Sequence, residues 1–363
     1  MENFILESDR DNFSSLRHTR KQSRKGNMNM KTGKASIKFK QPPHILGAAS
    51  VAGEKEGQGP LGKCFDVVSS DPMFGQETWE AAESSMQSQA AKMAVEKAGL
   101  SLTDIRYLFA GDLLGQLIAT SFGLLELGIP LFGLYGACST MGESLSLAAM
   151  AVNAGYADHT VSLASSHFAS AEKEFRFPLA YGNQRPYSAT WTVTGCGAVV
   201  LGKKGGKLKI SGITTGKIVD LGIRDSMNMG AAMAPAAADL IMQNLIDFDV
   251  TPEHYDKIIT GDLGTVGQKA LIDLLKEEGI NIEGQHMDCG IEIYDSEAQD
   301  THAGGSGCGC SAVTLCGHIL KEMEKGVWRR VLFIPTGALT SQTSFNEGQN
   351  IPGIAHGVII ERV

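Results

Sequence analysis

Apolar residues fall into short runs bounded by Gly, Pro or Asp, and the stretches between them are rich in small and polar residues at helical spacing. Two segments repeat this pattern, DIRYLFAGDLLGQ at 104–116 and DKIITGDLGTVGQ at 256–268. In each, a polar exit leads into a short strand that ends in GDL. An apolar helix and a second short strand follow in both copies. Next comes a turn of small residues that opens a helix, at Gly136–Thr140 and again at Gly304–Ser311. A third strand follows, DHTVSLASS at 158–166 and RRVLFIPTGA at 329–338. VTGCGAVVLG at 193–202 and HGVIIERV at 356–363 close the two copies. An order of strand, helix, strand, helix, strand read twice predicts a duplicated α/β chain, with two parallel-sheet halves covered by helices. A helix is expected over Thr78–Ala98, and the halves divide near Gly216, giving 41–215 and 216–363 behind a leader at 1–40.

The 363 residues, 43% hydrophobic, suffice for a large buried core. Gly, Glu or His interrupts every apolar run before the roughly 20 residues needed to span a bilayer, and the N-terminus is too polar for a secretory signal. The seven cysteines lack disulfide-framework spacing, so free thiols in a reducing compartment are expected. Residues 1–40 carry ten Lys/Arg against four Asp/Glu, a balance of +6 in a chain of net −8, which leaves −14 for the remainder. An acidic body argues against a nucleic-acid surface. The basic leader lacks apolar periodicity and reads as disordered, either a simple extension or a tether to anionic lipid.

Candidate chemistry centres on Cys138, set between a strand and a small-residue helix. A thiol at a helix N-terminus is expected to have a lowered pKa, as a nucleophile or an anion contact. Both small-residue turns fall at strand C-terminal ends, where open α/β sheets bind ligands. Cysteine catalysis also needs a base and donors for a developing oxyanion. His302, His167 and His356 are the histidines considered for that part, each with a structural role as the alternative. Cys308, Cys310, Cys316 and His318 lie along one predicted helix and cannot converge on one ion, so small-residue packing explains them and no metal site is assigned. MGAAMAPAAAD at 229–239 reads as a helix packing through alanines, with Pro235 near its start. No Walker loop or dinucleotide glycine pattern occurs, so no nucleotide cofactor is expected.

The duplicated order, the GAC turn at Cys138 and the VTGCGAVVLG strand resemble the thiolase fold of the thiolases and ketoacyl synthases, which implies a layered α/β/α/β/α architecture. Within that fold the runs GPLG, AGDLLGQ, YGACST, SSH, DLGI, MGAAMAPAAAD, TGDL, GGSGCGCSAV, TGAL and IAHGV resemble the stage V sporulation protein AD family across residues 31–363. In the ketoacyl synthases a His follows the strand that corresponds to 256–260, where this chain has Gly261-Asp262-Leu263-Gly264.

The resemblance implies a non-catalytic subunit of the spore SpoVA channel complex. It would bind pyridine-2,6-dicarboxylate (dipicolinic acid), with calcium carried along by the ligand, and support its uptake into the developing spore. It also implies a place at the periphery of the spore inner membrane beside the complex's membrane subunits, and pairing as a homodimer. The ligand site is expected from Cys138, Ser139, Thr140, Asp112, His167, Gly304, Gly305, Ser306 and His356, with two helix N-termini facing the dianion. Asp112 would orient pocket groups or meet calcium. The competing expectation is a cysteine-dependent acyltransferase of the ketoacyl synthase type that uses Cys138 with His302 or His356.

Overall fold

The structure, a computed structural model, describes residues 30–175 and 184–363. Of the leader, residues 1–29 lie outside the described residues.

The first half contains β1 (His44–Ala52), β2 (Tyr107–Asp112), β3 (Leu131–Gly133), β4 (His159–Ser166) and β5 (Gly195–Gly202), paired in the order β3, β2, β4, β5, β1. The second contains β6 (Leu208–Thr215), β7 (Lys257–Thr260), β8 (His286–Asp288), β9 (Arg330–Ile334) and β10 (Gly353–Arg362), paired in the order β8, β7, β9, β10, β6. The permutation is the same, so the duplication seen in the sequence extends to the topology. The expectation of parallel sheets needs correction. β2, β3 and β4 are parallel, as are β7, β8 and β9, but β5 and β10 each run antiparallel to both neighbours. Parallel neighbours need a crossover connection, and the last strand of each half returns beside its predecessor without one.

Two boundaries also move. β6 takes the first-strand position of the second half, so the halves divide in the GKKGGK turn before Leu208 and not near Gly216. Composition ends the leader at Lys40, yet Lys31–Thr32 and Ser36–Lys38 form a hairpin whose second strand pairs with β6. Gly33, at φ +61, makes the turn, and the Asp247 carboxylate accepts from the Lys34 and Ala35 N–H groups at 2.7 and 2.8 Å. Residues 31–363 form one compact unit.

Five helices build the layers: α1 (Trp79–Lys97), α2 (Thr140–Asn153), α3 (Met229–Phe248), α4 (Gly264–Glu277) and α5 (Cys308–Thr314). The Thr78 hydroxyl accepts from Ala81 N–H and caps α1. Its columns Ala82, Met86, Ala90, Ala94 and Glu83, Gln87, Ala91, Val95 are buried on the outer face of the first sheet, four residues apart as a helix face requires. α3 covers β10 on the other side and packs on α4; Pro235 sits in its second turn, with Asn228 as the cap. Between the sheets lie α2 and α5, buried nearly all round. Met141, Leu145 and Val152 fill that middle layer, each burial worth about 1.5–3 kcal/mol. At Gly309 of α5 a Cβ would stand 2.4 Å from Gly195 O, so the glycines of this run let helix and sheet approach closely. The result is the expected α/β/α/β/α stack, with the start of both middle helices at the same end.

Candidate ligand-binding site

Where β3 gives way to α2, the chain turns through Gly136 to Thr140. Ala137 holds φ +49, unusual for a residue with a side chain, which aims Cys138 out of the turn. The turn consumes its own polar groups: Ser139 Oγ donates to Gly136 O at 2.7 Å, and Thr140 Oγ1 donates to Ala137 O at 2.7 Å. Ser139 and Thr140 are wholly buried and do not reach the cavity above.

That cavity measures about 420 Å³, within the range of small-molecule sites. Cys138, Ser306 and Gly307 form its floor with Asp262. Leu113, Leu114, Ile118, Tyr135, Met227 and Met229 supply apolar wall, and Tyr135 is anchored by its hydroxyl to Thr340 O at 3.0 Å. Glu80, Glu172, Glu174 and Asp262 also line it, and no Lys, Arg or His does among the described residues. Lys173 pairs with Glu80, and Glu172 accepts from Thr192 Oγ1 at 2.9 Å.

Asp262 organises the floor. It is fully buried, accepts from Gly307 N–H at 2.9 Å and from Thr336 Oγ1 at 3.1 Å, and its charge stands close to the Cys138 thiol. The carboxylate therefore occupies the N-terminus of α5, the position at which a ligand anion is expected from the sequence. Burial raises its pKa to about 7, against the pull of those donors. The expectation of an acidified Cys138 is overturned. Burial, followed by the charge of Asp262, pushes the thiol well above the ordinary cysteine range. The N–H groups of the adjacent turn bond to Gly136 O and Ala137 O, so little helix field is left to offset desolvation.

The other expected residues are dispersed. Asp112, buried at the end of β2, accepts from Leu114 N–H, Thr120 N–H and Thr120 Oγ1 at 3.1, 2.9 and 2.7 Å; it fixes the loop that lines the cavity without facing it. His167 donates from Nε2 to Pro72 O at 2.8 Å and accepts from Ala169 N–H at 3.2 Å, which places it behind the wall as a structural group. His356 packs under α2 beside Gly142, and burial lowers its pKa to about 4. His302 stands outside the cavity, with Nδ1 2.9 Å from Pro186 O. Gly304 and Gly305 pair with Trp191 and lie behind Ser306. The thiols of Cys308, Cys310 and Cys316 donate to three different carbonyls, Ser165 O, Gly261 O and Ala198 O.

Asp262, Tyr135, Glu172 and Glu174 are the site residues that residue patterns did not single out. The repeat carried a signal for one of them, because Asp262 is the second-copy counterpart of Asp112 and follows the strand after which ketoacyl synthases keep a base. Chemically the floor holds a thiol in its protonated state. A neutral imidazole could withdraw the proton, whereas a carboxylate beside the sulfur opposes a second negative charge.

Comparisons with known proteins bear on the fold and on the family. 3-Oxoacyl-[acyl-carrier-protein] synthase III from Aquifex aeolicus superposes with a TM-score of 0.54 at 16% identity over 88% of this chain and 99% of that one. A variant of OleA from Xanthomonas campestris gives 0.57 at 15% identity over 88% and 97%. At such identities the likeness establishes the shared thiolase-like fold alone. Stage V sporulation protein AD of Bacillus subtilis (strain 168) is 44% identical over 331 residues, covering 91% of this chain and 98% of that relative. The family described as stage V sporulation protein AD (SpoVAD) matches residues 33–361. The chain belongs to the stage V sporulation protein AD family.

Proposed function

We propose that this sporulation protein is a binding subunit and not a catalyst, that it takes pyridine-2,6-dicarboxylate into the cavity over Cys138, and that it supports uptake of that ligand into the developing spore. The observation that carries the binding reading is Asp262 on the floor: it accepts from Gly307 N–H at the start of α5 and sets a buried acid beside the Cys138 thiol, where a condensing enzyme keeps a neutral imidazole. Tyr135 and the aliphatic wall suit an aromatic ring.

The acidic lining sets a condition on the ligand's charge. A free dianion among carboxylates is repelled, so it enters as its calcium chelate, or against an Asp262 that has taken up a proton and can donate. Other subunits of a spore membrane complex are the proposed partners, with the protein peripheral to the inner membrane. Among the described residues no helix is long and apolar enough to cross a membrane. A homodimer would form along the unpaired edge of β3, where Leu131 and Phe132 are exposed.

Calorimetric titration with dipicolinate, with and without calcium and with benzoate as control, tests the binding reading. Saturable binding that weakens in Cys138→Ala and ignores benzoate supports it. Absence of heat under every condition, together with an acyl adduct on Cys138 after incubation with acyl-CoA, would instead establish the acyltransferase.

A further inference from the structure

In both halves the strands that run toward the cavity, β2 and β4 in the first and β7 and β9 in the second, start at the opposite end of their sheet. Strand pairing brings the two starting ends together. His44 and His159 stand opposite Gly202, Leu208 stands opposite Ile45 and Arg362, and Arg330 stands opposite Glu361. β4 and β6 each take eight residues, roughly 25 Å, to reach the cavity end.

Positive charge collects at this junction. Segments 40–44, 156–159, 202–209, 322–330 and 360–363 carry nine Lys/Arg against four Asp/Glu, in a body that is acidic as a whole. At their centre is the GKKGGK turn, where Gly205 and Gly206 hold φ +111 and +66, so a tight reversal leaves Lys203, Lys204 and Lys207 exposed. Three of the four acids are neutralised inside the patch: Asp158 pairs with Lys203 at 2.5 Å, Glu361 with Arg330 at 2.7 Å and Glu322 with Lys325 at 2.7 Å. Lys40, Lys204, Lys207, Arg329 and Arg362 are exposed and form no salt bridge among the described residues. Tyr156, Val327 and Val363 are exposed in the same segments.

Exposed cations interspersed with apolar side chains suit a surface of anionic headgroups, because phosphate charge draws the cations and the apolar tips enter the headgroup boundary. The cavity end has the opposite character, with Glu80, Glu172, Glu174 and Asp262 in its lining. A negatively charged membrane therefore attracts one end of the molecule and repels the other, which fixes an orientation. The open edge of β3 lies on the far side of the first sheet from this junction, so pairing there leaves the patch free.

We propose that this basic end is the face that lies on an anionic lipid surface and holds the cavity mouth away from it; the inference rests on the peripheral placement proposed above. Cosedimentation of the full chain tests it, with vesicles of phosphatidylcholine alone and with about half phosphatidylglycerol, at about 0.1 M and about 0.5 M salt. The wild type should bind only the anionic vesicles and should release them at the higher salt. Lys204→Glu, Lys207→Glu and Arg329→Glu together should weaken binding at least about tenfold. Lys92→Glu, Lys217→Glu and Lys269→Glu, the same change of charge elsewhere on the molecule, should leave it as in the wild type. If the first reversal disturbs folding, Gln at its three positions should give a smaller loss in the same direction. Residues 1–29 are present in every protein, so binding through that basic segment alone would leave the first variant unaffected and overturn the proposal, as would an equal loss in both triple variants. A wild type that binds no vesicle overturns it too. Recovery of the protein with the membranes of sporulating cells would then keep the peripheral placement and assign it to protein partners, whereas recovery in the soluble fraction would remove both.

Discussion

Replacing Asp262 by Asn leaves the shape of the floor nearly unchanged and removes its charge. Folding raises the Asp262 pKa from an ordinary 3.8 to about 7, chiefly through burial. The folded chain therefore binds more protons than the unfolded chain between these values, and stability falls as pH rises across that window. At 1.36 kcal/mol per unit, the wild type gives up about 4 kcal/mol on this account between pH 4 and the alkaline side of 7. The Gly307 N–H and the Thr336 hydroxyl donate to different carboxylate oxygens, and the substituted amide keeps only one oxygen, so at pH 5 the variant should be less stable by about 1–2 kcal/mol. By pH 8 that deficit should vanish or reverse. Urea denaturation of both proteins at the two pH values measures the difference, and other buried acids cancel because both chains contain them. Loss of the neighbouring charge should also free the thiol; one unit of added acidity means about tenfold faster alkylation of Cys138 by iodoacetamide, followed by peptide mass. A stability difference that is the same at pH 5 and pH 8, with unaltered alkylation, would refute the account of a buried carboxylate that restrains the thiol.

Gly230→Ala tests the crossing of α3 and α4, where the new Cβ would stand 2.3 Å from Leu263 O; a loss of about 2–3 kcal/mol in denaturant is expected, and an unchanged midpoint would show that the helices can part. Phe132→Glu charges the open edge of β3, so light scattering should show dimers for the wild type and monomers for the variant; a monomeric wild type at micromolar concentration removes the proposed pairing. Cys138→Phe should fill the floor of the cavity and abolish dipicolinate binding while the far-ultraviolet dichroism stays native. Full affinity in that variant would place the ligand elsewhere.

Local periodicity alone determines a good deal of this protein. The recurrence of GDL strands, the helix over Thr78–Ala98 and the small-residue turns at Gly136 and Gly304 depend on interactions within a few residues, and from them follow the element order, the duplicated topology and the place of Cys138. Strand direction is less local. β5 and β10 are apolar runs like their neighbours, and only their connections make them antiparallel. Ser36–Lys38 looks like the end of a charged leader until β6 provides an edge for it. The site lies further still from local rules, because its chemistry depends on contacts between the halves. Asp112 and Asp262 close the same repeated motif, yet Asp112 bonds to its own loop, whereas Asp262 crosses to Cys138 of the other half and to Gly307. A thiol at a helix start can read as activated from the chain alone. Whether water, an imidazole or a buried carboxylate faces it is decided by packing across some 120 residues of sequence, and here desolvation and the Asp262 charge outweigh the helix field.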